Sequence, residues 1–237
     1  MLQNTIIEVG LTKSAECVKI AMKKDGQKAR ENYFKAFLFD GALLAGDFGF
    51  PQLKPSYGMP KNPLSFVECR TKRRLDNRWL HFFAEDFNFE CVWNNPKAYL
   101  KLFKRFEGVI SPDFSLYGDL PRAYRIWNCY RIRALAWWLQ DKGVNILSSV
   151  SWTADKADFD WCFDGLPEGG NVAVSANGCY FNQYSRGYFV QGFDAMIERL
   201  HPCTVYAVGY LPKELRSRSD VVMLEGYSQQ RGGRSHG

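Results

Sequence analysis

The sequence predicts an α/β fold in which βα units surround a mainly parallel sheet. Three observations carry this. Short apolar runs at 79–84, 109–110, 144–150, 171–175, 204–208 and 221–224 alternate with helical stretches, the order that parallel crossovers impose. Most of these runs are continuous rather than alternating in polarity, as strands covered on both faces must be. With a further apolar run at 34–44, about seven strands result. A barrel-like arrangement, full or incomplete, is preferred; an open doubly wound sheet is the alternative.

The chain has 237 residues, 46% of them hydrophobic, enough to bury one large core. The expected organisation is a basic helical segment at 1–32, a single α/β domain at 33–227 and a disordered polar tail at 228–237. Within the first segment, residues 14–24 have helical spacing at Ala15, Val18, Ile20 and Ala21. The run 34–44 reads as the first core strand. Residues 51–63, with four prolines, read as an irregular covering loop. Lys72-Arg73-Arg74 reads as a solvated loop or a phosphate contact. The strand at 79–84 is followed by helices at 87–93 and 97–106.

The strongest strand–loop–helix signal spans 108–143. A short strand at 109–110 leads through a turn at 117–119 into a helix over 120–140. Asp119 is a candidate N-cap, Pro121 suits the first turn, and Gly143 suits the left-handed position that ends a helix. Helical periodicity puts Ala123, Ile126, Trp127, Tyr130, Ala134, Trp137 and Trp138 on one buried face, with Arg122, Arg125, Arg133 and Gln140 opposite. Asn128 and Arg131 border the buried face, so Arg131 must be paired or line a cavity. Beyond the strand at 144–150 come a short helix at 158–163, the strand at 171–175, a helix at 188–200, the strand at 204–208, a short helix at 212–216 and the last strand.

Composition excludes several function classes. The net charge of +6 permits nucleic acid or anionic ligands without demanding them, and much of the excess sits in the flanks. Seven cysteines are scattered without a CxxC pair, and only three histidines are present, so zinc-finger spacing is absent. No signal peptide is visible and no apolar run approaches the ~20 residues of a membrane span. The expectation is a reduced, cytoplasmic protein with no membrane association. No Walker loop, GxGxxG, HExxH or GxSxG occurs. Whether the protein is an enzyme therefore stays open, and no cofactor is assigned.

In either architecture a ligand binds at the C-terminal ends of the strands. The residues just beyond them include Asp113, Glu85 and Asp86, the catalytic candidates, since carboxylates can act in acid–base chemistry or hold a hard cation. No spacing rule supports a metal, and none is assigned. The ligand-binding candidates are Ser115, Arg122, Arg125, Asn128, Arg131, Trp152, Ser175 and Asn177. Asp40, Tyr210 and Glu225 fall on the same predicted rim. Each has a structural alternative. Asp113 and the Glu85-Asp86 pair can cap turns. Residues 175–178 can be a turn or an anion nest. Cys162 and Cys179 can be buried small hydrophobes. The mixture of carboxylates, hydroxyls and arginines suits a polar or anionic small molecule, nucleotide-like or phosphorylated.

Four segments, VWNNP (92–96), SPDFSLY (111–117), WNCYRIRA (127–134) and CFDGLP (162–167), resemble in order and spacing the family called domain of unknown function 4417. The resemblance covers about residues 48–227. It implies a bacterial, phage or mobile-element setting and supplies no activity, so no catalytic role carries over. Two further functions stand beside ligand binding: a host-defence inhibitor or adaptor acting on a host protein, and a nucleic-acid-associated protein using the basic flanks.

Overall fold

The computed structural model describes residues 33–69, 75–177 and 183–225. The expected helix at 14–24, the basic run 72–74, Cys17, Cys179 and the polar tail lie outside them.

A two-stranded antiparallel hairpin, β1 (Leu44–Ala45) and β2 (Phe50–Pro51), precedes the main sheet. The sheet has seven parallel strands: β3 (Leu64–Ser65), β4 (Trp79–His81), β5 (Gly108–Ile110), β6 (Ile146–Ser149), β7 (Asn171–Val174), β8 (Thr204–Val208) and β9 (Val221–Leu224). They stand side by side in chain order. Helices fill the crossovers: α1 (Phe66–Cys69), α2 (Glu90–Asn94), α3 (Pro96–Phe103), α4 (Arg122–Asp141), α5 (Phe159–Cys162), α6 (Gln183–Leu200) and α7 (Lys213–Arg216). Parallel crossovers share one hand. When every strand also joins its immediate neighbour, all the helices gather on one face and the sheet curls. The result is a half-barrel in which β3 and β9 are the edge strands among the described residues.

The strand alternation separates two cores. Leu80, Val109, Ile146, Val172, Val174, Val205 and Ala207 face the helices and join the larger cluster. Trp79, Phe83, Ile110, Leu147, Ala173, Tyr206 and Val208 face the concave side. Gly108 belongs to the concave side too, and a Cβ there would lie 2.4 Å from the Trp79 ring, so the indole needs the glycine to lie flat on β5.

Two strand expectations change. Residues 34–44 do not enter the sheet: Ala36–Leu38 is a 3-10 turn and Leu44–Ala45 belongs to the hairpin. The first sheet strand is β3, at the end of the proline-rich stretch read as loop. An apolar run says that a segment is buried, and Leu38 is, but not that it is extended.

Helix α4 begins two residues later than the spacing predicts. Its N-cap is Pro121, with no side-chain cap, so Asp119 does not cap it. Gly143 does take the left-handed conformation, with φ of 77°. The buried face is also rotated. Ala123, Tyr124 and Trp127 are exposed, while Arg125 and Arg133 are buried. Arg133 is 1% exposed and donates to the Cys162 and Asp164 carbonyls at 2.7 and 3.0 Å. A loop from another crossover covers the side that periodicity left to water, and it supplies the acceptors a buried guanidinium needs.

Candidate functional site

The mouth of the half-barrel is built from the segments that leave β4, β5 and β6. Asp113 stands three residues beyond β5 and is partly exposed. Its carboxylate accepts a short hydrogen bond from the Ser151 hydroxyl, which belongs to the segment beyond β6. Asp86, from the segment beyond β4, accepts from the Ser115 amide at 3.1 Å and the Ser115 hydroxyl at 2.9 Å. Three consecutive βα connections therefore interlock through two carboxylate–serine pairs. Just below, the Ser111 and Ser149 hydroxyls lie 2.9 Å apart, and Ser149 donates to the Pro112 carbonyl.

Burial pushes the Asp113 carboxyl up to about 6, with the Asp86 charge adding to it; the Ser151 hydroxyl and the Arg133 charge pull the other way. Burial also raises Asp86, against the lowering effect of its Ser115 hydrogen bonds and the Arg131 charge. The Glu90 charge adds to the rise at Asp86, and both carboxyls, beside hydroxyl groups, can accept hydrogen bonds when charged. Asp113 can also hold a proton close to neutral pH.

The predicted arginines are spent on the chain itself. Arg131 pairs with Glu90 at 2.8 Å, donates to the Asn128 carbonyl oxygen at 2.7 Å and lies over the Phe114 ring. Asn128 in turn donates to the Ser115 carbonyl at 2.7 Å. These residues hold the loop that carries Asp113 and Ser115. Arg125 and Arg122 both meet the fully buried Asp158, at 2.8 and 3.2 Å. Asp158 also accepts from Thr153 and Trp161, and Arg125 holds the Gly118 and Leu120 carbonyls.

The remaining candidates scatter. Glu85 is exposed and precedes the 3-10 turn Asp86–Asn88 without capping it. Trp152 packs on Phe189 and Phe193 of α6. Ser175 donates to the Val208 carbonyl and accepts from the Asn177 amide. Tyr210 lies under the Arg216 guanidinium, and Glu225 is exposed beyond β9. Asp40 faces a cleft with Lys97, Asp141 and Lys142, at the far end of α4, because its segment is not a sheet strand. Among the described residues, no three His, Cys, Asp or Glu side chains are grouped to hold a metal, so Glu85, Asp86 and Asp113 do not form such a set. Cys69, Cys91, Cys129, Cys162 and Cys203 are free thiols, and burial raises Cys129 and Cys162 above the usual thiol range, which makes them inert. No helix among the described residues is long and apolar enough to cross a membrane.

Two residues of the mouth escaped the sequence reading. Ser151 shares strand parity with Leu147 and Ser149, whereas Trp152 has the opposite parity and points at the helices; the period of two held that signal. His81 shares parity with Trp79 and Phe83 on the concave face and is 2% exposed. Burial holds its imidazole down to about 4, so it is neutral at pH 7.

The family described as Domain of unknown function (DUF4417) matches residues 43–227. The Gene 1 protein of Mycobacterium phage D29 is 34% identical over 166 residues, 69% of this chain and 61% of that protein. The Gene 1 protein of Mycobacterium phage L5 is 36% identical over 132 residues, 56% of this chain and 57% of that protein. The chain thus spans about three fifths of the length of these relatives. No solved structure matches it.

Proposed function

The chain belongs to the DUF4417 family, whose matched relatives are phage proteins, and on that premise we propose that it binds a polar small molecule at the C-terminal mouth of its half-barrel. The observation that carries this is the pairing of Asp113 with Ser151 beside Asp86 with Ser115. It gathers ionisable and hydroxyl groups from three connections at the end of the sheet where parallel α/β folds bind ligands. Asp113 is the group that contacts the ligand, as hydrogen-bond acceptor or as proton donor, and Asp86 and Ser151 set its state. Arg131 and Asn128 position the loop.

Native mass spectrometry of the purified full chain, beside denaturing mass spectrometry of the same sample, tests this. The expected result is a retained small-molecule mass that Asp113→Asn loses while near-ultraviolet circular dichroism is unchanged. A retained mass that Asp113→Asn keeps would overturn the assignment of the site. The nucleic-acid alternative rests on basic residues at 72–74 and in the flanks, outside the described residues, and nothing in the mouth favours it.

A further inference from the structure

The solvent side of α4 carries rings that the fold leaves uncovered. Of the seven tryptophans, Trp127 alone is exposed, at 44%. Tyr124 stands one turn before it and is exposed too. Trp127 stacks on Tyr130 with ring centroids 5.5 Å apart and meets Trp93 edge to face at 5.3 Å. The segment before the hairpin packs along the same helix: Phe39 reaches Tyr130 at 6.4 Å and Phe37 reaches Trp138 at 5.8 Å. These contacts join the rings into one surface that runs about 20 Å along the axis of α4.

Cations lie among the rings. The Lys35 ammonium sits 5.9 Å from the Trp93 ring and donates to the Asn94 carbonyl. The Lys97 ammonium sits 4.2 Å from the Phe37 ring, and the exposed Lys101 stands one turn further along α3. Among the described residues none of these three lysines forms an ion pair. The acids around them do not restore the balance. Glu90 is taken by Arg131, Asp141 by Lys142 and Asp158 by Arg122 and Arg125. Asp40 shares the Lys97 cleft, and Asp119 precedes α4. Past the end of α3, Lys104 and Arg105 outnumber Glu107. The segment 1–32, which joins the surface at Tyr33, holds six basic and four acidic residues.

An aromatic surface alone would fit a protein partner as well. Lysine, however, is depleted where proteins meet proteins. Rings interleaved with unpaired lysines suit single-stranded nucleic acid, whose bases stack on the rings while its phosphates meet the ammonium groups. A duplex keeps its base faces stacked on one another and cannot use such rings. Residues 1–32 share the positive sign of the surface, so charge does not seat them on it.

We infer that the α4 surface centred on Trp127 binds a short single strand of nucleic acid. Bases stack on Trp127 and Tyr124, and phosphates meet Lys35, Lys97 and Lys101. The surface does not include the Asp113 and Asp86 carboxylates, so this inference and the small-molecule reading of the mouth fail independently.

Fluorescence titration of the full chain with oligo-dT and oligo-rU of about twelve nucleotides, and with a duplex of the same length, tests it. The expected result is saturable quenching of tryptophan emission by a single strand, the two arms telling DNA from RNA, with the duplex at least about tenfold weaker. Trp127→Phe keeps a stacking ring, so binding followed by anisotropy stays within about threefold while most of the quenching disappears. Tyr124→Ala, which removes an exposed ring, weakens binding by about tenfold. Three phosphate contacts give a shallow salt dependence, a slope of about −2 in log K against log salt. Should Trp127→Phe melt early, Tyr124→Ala still carries the test. No binding of either strand, or a duplex that binds as tightly, overturns the inference. Affinity unchanged in Tyr124→Ala, with a steep salt slope, moves binding to the basic flanks and overturns the surface. A dimer in sedimentation velocity that Tyr124→Ala dissociates gives the surface to a second copy and likewise overturns it.

Discussion

Asp113 and His81 make opposite contributions to stability over nearly the same pH range. Asp113 has its carboxyl raised from 3.8 to about 6. The folded state therefore binds more protons than the unfolded one across that window, and the stability Asp113 contributes when protonated is lost as pH rises through about 6. His81 has its imidazole lowered from 6.5 to about 4. The unfolded state binds the extra proton, so stability is full above the unfolded value and is lost as pH falls through the folded one. The His81 effect is about 3 kcal/mol, and that of the partly exposed Asp113 about 1–2 kcal/mol after solvent screening. In the wild type the two slopes partly cancel between about pH 4 and pH 6. Asp113→Asn removes one of them. Urea unfolding should find this variant more stable than wild type by about 1–2 kcal/mol at pH 7, with the gain shrinking toward pH 4. It should also have a steeper rise of stability with pH. Equal stability at pH 7 would mean that Asp113 ionises without strain. Of these two residues, Asp113 was visible in the sequence because a carboxylate after a strand is a recognisable placement. His81 was visible only once the strand parity was fixed, since a histidine within an apolar run carries no sign of which face it takes.

Helix α4 shows why an element can be legible while its role is not. Its existence and its Gly143 end follow from periodicity and glycine chemistry, but its orientation does not. Periodicity sorts residues into apolar and polar, and that sent Arg125 and Arg133 outward. In the fold their partners are Asp158 and the carbonyls of Gly118, Leu120, Cys162 and Asp164. Most of these are about 30 residues away, and none is announced by local spacing. Arg131 was placed at a border where it had to be paired, and it is, with Glu90. The chain thus hides its structural ion pairs inside what reads as a basic cluster for a ligand. Asp158 is the centre of one: it is fully buried and receives Arg125, Arg122, Thr153 and Trp161. Asp158→Ala should cost about 3–5 kcal/mol, because it leaves the buried Arg125 guanidinium with only the exposed Asp155 carboxylate, at 3.9 Å, as its counter-charge. The exposed Glu85→Ala, on the same rim, should change stability by less than about 0.5 kcal/mol. Chemical denaturation of both variants checks this. A cost at Asp158 no larger than at Glu85 would show that the pair is not part of the folded state's stability.

At the scale of the molecule, the sheet order was legible because its signal is a sequence of elements rather than any one residue. Strands alternating with helices, each apolar throughout, leave few topologies, and the seven strands in chain order fulfil that pattern. The first strand was misplaced because β3 is two residues long and follows prolines, below what periodicity can register. Whether the ring closes could not be read at all, since closure depends on whether β3 and β9 meet, and no local pattern records that. They do not pair, so among the described residues the barrel has two open edges. β9 exposes Val222 and Met223 and, among the described residues, pairs on one side only, with β8. Gly108 and Trp79 fix the curl from the concave side: Gly108→Ala should cost about 1–3 kcal/mol, because the added methyl displaces the indole that fills the floor. Hydrogen exchange read by mass spectrometry distinguishes an open from a closed ring. In an open half-barrel the amides of β5, β6, β7 and β8 exchange at or near the global unfolding rate, whereas those of β9 exchange orders of magnitude faster through local opening. Uniform protection from β4 through β9 would require a partner on the β9 edge, and the half-barrel would then be part of a larger closed structure. Because this chain spans about three fifths of its phage relatives, the same experiment on a longer relative shows whether its additional residues protect that edge.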